Sequence, residues 1–155
     1  LALDIIDDKT VSIHETLEKN RENIIIASLL HDILEDTSYS KKAIFKNFGM
    51  KITELILEVT KINSSKRVAI LSNDQAFNLM QKYPISFCIK IADRFHNLLT
   101  IDGHSSVDKR KQIAKETLDF FIIPAKKYNI NAIANKMQSM CDYIIKNGKI
   151  EGFQS

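Results

Sequence analysis

A chain of 155 residues is long enough for one domain with its own apolar core, and too short for two of ordinary size. With 45% hydrophobic and 26% charged residues and no apolar run near the roughly 20 residues of a membrane helix, composition excludes a spanning segment and favours a globular protein. The net charge of +3 hides a split: residues 1–40 hold nine acids against three bases, and residues 41–155 hold ten against nineteen.

That split has a plain explanation, lysines solubilising helix surfaces, and a functional one, a phosphorylated ligand bridged by a cation. No basic cluster is interleaved with aromatics as single-strand binders require, so nucleic acid is not expected as a partner. Cys88 and Cys141 fall in apolar helical patterns, which predicts buried thiols rather than a disulfide and fits a cytoplasmic location. The chain opens on Leu1 rather than Met, and its N-terminus is expected to be incomplete.

Period-2 alternation is scarce and 3.6-residue patterning common, so the fold class is all-α, a helical bundle forming a single domain over 1–155. Residues 1–7 read as the remnant of a helix, with a short one or its continuation over 11–19. Arg21 to Glu35 reads as one strong helix, apolar nearly all round and therefore buried. After the turn Thr37–Ser40, a helix from Lys41 is stopped by Gly49 and another runs over 50–62. Asn63 to Arg67 reads as a polar, mobile loop. A helix over 73–83 stops at Pro84, and a second buried helix runs from Ile85 to Ile101. Val107 to Tyr128 is long, with Pro124 predicting a kink or a break near Ile122–Ile123, and the last helix runs over 130–146, capped by Gly148.

Two stretches put polar groups inside these apolar helices. In Ser28–Thr37, the i,i+4 rule stacks His31 over Glu35 and Asp32 over Asp36. In Ile89–Thr100, Lys90, Asp93, Arg94, His96, Asn97 and Thr100 follow one another. A lone buried histidine is usually a satisfied core residue, but burying this many carboxylates without a cation would cost several kcal/mol. His31, Asp32 and Asp93 are the natural metal ligands, a mixed set that does not choose among Mn, Fe, Zn and Mg. Glu35 and Asp36 lie beside that pair as ligand, base or water-positioning groups. Lys90 and Arg94 are candidate phosphate contacts, or salt-bridge partners of the acids, and Asn97 shares the face of Asp93. His96 falls off that face and reads as structural.

These residues resemble a known family. The His31-Asp32 doublet with a distant Asp93 is similar to the HD superfamily of metal-dependent phosphohydrolases, and within it to the hydrolase domain of the RelA/SpoT family. The likeness runs through Ala27–Thr37, Phe48–Gly49, Leu57–Lys61 and Gln75–Leu79. It is strongest over Lys90–Thr100, then continues through Ala114–Leu118, Pro124–Ala125 and Ile130–Asn131. The resemblance implies an HD-domain bundle with one Mn2+, other divalent ions not excluded, held by His31, Asp32, Asp93 and one further histidine. It implies Glu35 and Asp36 as the catalytic acidic pair, Asn97 and Thr100 at the guanosine, and Lys90 and Arg94 in the same motif. The reaction implied is loss of the 3′-pyrophosphate from guanosine tetra- or pentaphosphate, leaving GDP or GTP, with the family's synthetase domain absent from this chain.

The resemblance places the first metal histidine just before Leu1, upstream with the guanine-gripping stretch; the alternative is His14, brought level with His31 by a hairpin turning near 20–23. Leu99 stands where family members often carry Arg or Met. Two rivals follow: an HD phosphohydrolase for another nucleotide, or a non-catalytic nucleotide-binding or interaction module. Asp93 paired to Lys90 or Arg94 would favour the module.

Overall fold

The computed structural model describes residues 2–67, 78 and 81–154, with the side chains of Glu35 and of residues 61–67 also outside the description. The helices are α1 (Ala2–Asp7), α2 (His14–Lys19), α3 (Arg21–Leu30), α4 (Ile33–Asp36), α5 (Lys41–Arg67), α6 (Pro84–Leu99), α7 (Val107–Thr117), α8 (Ile123–Lys127) and α9 (Asn131–Asn147). No strand occurs among the described residues, and no helix there is long and apolar enough to cross a membrane.

The organising element is α6. Pro84 opens it at a position where the missing N–H is no loss, and from Ser86 to Phe95 all but Asp93 is buried. It packs against α1, α3, α5 and α9, while α9 also covers α7. Phe87 of α6 meets Phe120 and Phe121 at centroid separations of 5.8 and 5.7 Å, and those two rings lie edge to face at 4.9 Å. Cys88 and Cys141 are buried free thiols, and burial pushes each up to about 12. Neither is expected to react with a thiol reagent at pH 8 in the folded protein, both becoming labelled only in denaturant; prompt labelling without denaturant would contradict this packing.

Two expectations are corrected, over Arg21–Glu35 and over Asn63–Arg67. The helix read over Arg21–Glu35 breaks at His31–Asp32 into α3 and α4, and α3 is not buried all round, since Leu29 is 81% exposed. The expected loop at Asn63–Arg67 is helical backbone: Gly49, at φ 79°, breaks α5 as predicted, but with no further glycine or proline the helix continues to Arg67. The long helix over 107–128 is three pieces. The division falls where Pro124 predicts it: a π turn over Leu118–Ile122 gives way to α8 at Ile123. Pro84 starts α6, and most of the expected helix over 73–83 lies outside the described residues.

Candidate metal centre

The break after Leu30 is what makes the His31-Asp32 pair usable. Neighbouring residues on an unbroken helix point about 100° apart, so one ion is not the natural focus of both. Here His31 keeps helical angles (φ −61°, ψ −28°), Asp32 opens to φ −94°, ψ −2°, and its carbonyl starts α4 by accepting from the Asp36 N–H at 2.9 Å. Aspartate at a helix start ordinarily caps it through the side chain. Asp32 makes no such cap, and its carboxylate lies against the His31 ring instead.

The result is a three-residue donor group. Ligand atoms of His31, Asp32 and Asp93 lie within 4.8 Å of one another, with His31 Nε2 at 3.0 Å from Asp32 Oδ2 and 3.3 Å from Asp93 Oδ1. His31 Nδ1 lies 2.8 Å from the Ser28 carbonyl, to which it can only donate. The neutral ring therefore turns its Nε2 lone pair toward the carboxylates, the tautomer that metal-bound histidines use. That nitrogen is buried and has no aligned hydrogen-bond partner among the described residues. An orphaned imidazole nitrogen between two carboxylate oxygens fits a divalent ion of borderline hardness.

Electrostatics at the group are strongly coupled. The Asp93 carboxylate raises the His31 pKa, burial opposing it and the Ser28 carbonyl and Asp32 adding to it. Burial pushes Asp93 up, but His31 and Lys90 together outweigh it and hold Asp93 at about 2. Burial raises Asp32, with His31 working against it and the neighbouring Asp93 and Asp36 charges adding. A proton and a divalent cation would compete for His31 Nε2.

The α6 motif divides between two faces. Lys90, almost wholly buried, donates to Asp93 Oδ2, leaving Oδ1 toward His31; Asn97 Nδ2 donates to that same Oδ1 at 3.3 Å. Lys90 is thus the counter-ion of Asp93. Arg94 lies on another side of α6. It is 8% exposed, its guanidinium sits 5.0 Å from the Phe121 ring centroid, and burial lowers its pKa, so it belongs to the packed side of α6 and not to the donor group. Thr100 is exposed at the end of α6, its hydroxyl donating to the His96 carbonyl at 3.1 Å.

The donor group opens into a cleft of ≈ 380 Å³, whose walls include Ala2, Ser28, Leu29, His31, Asp93 and His96. His96, read from sequence as structural, is exposed and faces this cleft; its i,i+3 relation to Asp93 was the available signal. Ala2 brings the start of α1 to the same wall. His14 is not a member of the donor group: its Nδ1 lies 2.8 Å from the Ile6 carbonyl at the head of α2. Asp36 is exposed at the end of α4, one turn past Asp32, and Glu35 lies on the same helix with its side chain outside the described residues.

Comparison with known proteins places this geometry in a family. The HD domain profile matches residues 8–130. The chain is 34% identical over 121 residues to a guanosine-3′,5′-bis(diphosphate) 3′-pyrophosphohydrolase of Haemophilus influenzae, covering 75% of this chain and 18% of that protein. It is 33% identical over 134 residues to a GTP pyrophosphokinase of Myxococcus xanthus (81% and 17%), and 31% identical over 121 residues to the bifunctional (p)ppGpp synthase/hydrolase SpoT of Escherichia coli (75% and 17%). The chain spans under a fifth of the length of these curated relatives. Matched over most of its residues and carrying its histidine and aspartates in one cluster, the chain belongs to the HD domain family, as an HD domain of RelA/SpoT type.

Proposed function

We propose that this domain hydrolyses guanosine tetra- or pentaphosphate, releasing the 3′-pyrophosphate and leaving GDP or GTP, with Mn2+ as the preferred ion and other divalent ions accepted. The observation that carries this reading is the orphaned His31 Nε2 facing Asp32 and Asp93 in a cleft. The names of the relatives support the substrate, two of the three above being hydrolases of it. When bound, a divalent ion would supply Lewis acidity and a water of lowered pKa.

The chain's own residues supply the rest. His31, Asp32 and Asp93 hold the ion, while Lys90 fixes the Asp93 carboxylate so that Oδ1 faces His31. Glu35 and Asp36 are the acidic pair that accepts a proton from the attacking water and orients it, as their position one turn beyond His31 and Asp32 allows. Asn97 and Thr100 contact the nucleoside from the exposed end of α6. A cytoplasmic location accords with the two free thiols.

The Lys90–Asp93 ion pair favours a second reading, a nucleotide-binding module without catalysis, because the lysine already neutralises one ligand. One assay separates them: product formation from ppGpp with Mn2+. Pyrophosphate and GDP released with Mn2+, and neither with EDTA, is the expected result; tight nucleotide binding without turnover would establish the module. In the same assay Glu35→Gln is expected to lower turnover by roughly 10²–10⁴-fold while Mn2+ affinity measured by calorimetry is unchanged.

A further inference from the structure

We propose that the Ser28 hydroxyl is a ligand-binding group of the cleft, donating a hydrogen bond to a phosphoryl oxygen held beside the metal donors; this rests on the phosphohydrolase reading above. A serine or threonine inside a helix usually bonds the carbonyl one turn back. Thr53, Thr60, Thr100, Thr117 and Ser139 all do so here, at 2.7, 3.0, 3.1, 2.8 and 3.1 Å. Ser28 does not. Its Oγ is buried and has no hydrogen-bond partner among the described residues, and the residue lines the cleft next to His31 and Asp93.

Position strengthens the assignment. Ser28 and His31 are i,i+3 neighbours, so they share a face of α3, and that face is the cleft wall. The Ser28 carbonyl is already taken by His31 Nδ1, which ties this turn of α3 to the donor group. A buried O–H left unpaired is unfavourable unless something outside the chain completes it. Next to two carboxylates, an anion reaches this hydroxyl only when a cation bridges it, and a phosphoryl oxygen on the ion is the group of matching chemistry. Ser28 would then hold the pyrophosphate end of the substrate, not its base.

The test is Ser28→Ala in the intact chain, read by calorimetry with Mn2+ alone, then with inorganic pyrophosphate in the presence of Mn2+, and by the KM-against-kcat split on ppGpp. Expected are unchanged Mn2+ affinity, pyrophosphate affinity lowered about tenfold or more, as for a hydrogen bond to a charged group, and a melting temperature equal to wild type or higher. A purely structural hydroxyl would instead lower the melting temperature and leave pyrophosphate binding alone, which would overturn the assignment. Loss of Mn2+ affinity would overturn it as well, placing the hydroxyl on a metal-bound water. A wild-type chain that binds pyrophosphate through Ser28 but never turns over ppGpp would sink the hydrolase reading and leave Ser28 as the anion contact.

Discussion

Asp93→Ala is expected to abolish Mn2+ binding and to reduce ppGpp hydrolysis beyond detection, a loss greater than the roughly 10–100-fold that removing a mere outer partner of a ligand brings. The reason is that Asp93 serves three partners at once: Oδ1 faces His31 and accepts from Asn97, and Oδ2 takes the buried Lys90 ammonium. Deleting it also strands Lys90, which is 5% exposed, and removing one partner of a buried pair costs about 3–5 kcal/mol. Stability and chemistry can be separated with the double variant Lys90→Met, Asp93→Ala. It should recover much of the lost stability by thermal melting and none of the metal affinity by calorimetry. Hydrolysis surviving in Asp93→Ala would refute the site as drawn.

The largest purely structural effect belongs to Phe87→Ala. Phe87 is fully buried at the first turn of α6, against both Phe120 and Phe121 of the π turn. Truncation removes the ring's buried area and leaves a cavity that two neighbouring rings, themselves packed at 4.9 Å, fill poorly. A destabilisation of about 3–5 kcal/mol is expected from denaturant unfolding. The Mn2+ affinity of the remaining folded fraction should change little, because Phe87 lies nearly two turns before Asp93. A loss under about 1 kcal/mol would mean that the π turn does not pack on α6 as described.

The sequence made the fold class and the three donors legible for the same reason: both are written in spacing. Apolar repeats at 3–4 residues predict helices, and carboxylates set into such repeats need a cation or a counter-ion to be there at all. What spacing does not carry is the rotation of a helix about its own axis relative to its neighbours. That is why Arg94 was read toward the ligand and lies on Phe121, and why His96 was read away from it and lines the cleft. Neither His31 nor Asp32 is a helix breaker, so the break between α3 and α4 shows only in the backbone angles. The apolar run of α3 was equally ambiguous, since a residue on a cleft wall such as Leu29 is as apolar as one in the core. Pro124 announces the break at Ile122–Ile123, but not that a π turn precedes it.

The Lys90–Asp93 pair carries one more consequence, for the order in which ligands arrive. With His31 neutral, Asp32, Asp93 and Lys90 sum to a single negative charge, to which Asp36 at the end of α4 adds, and the group repels a polyphosphate. A divalent ion would offset two of those charges and lift most of the repulsion. Were Lys90 neutral, the loaded group would keep one more negative charge. The lysine that neutralises one ligand therefore helps make the cation an entry permit: anion association waits on metal loading, and should be faster with the ion bound than without it.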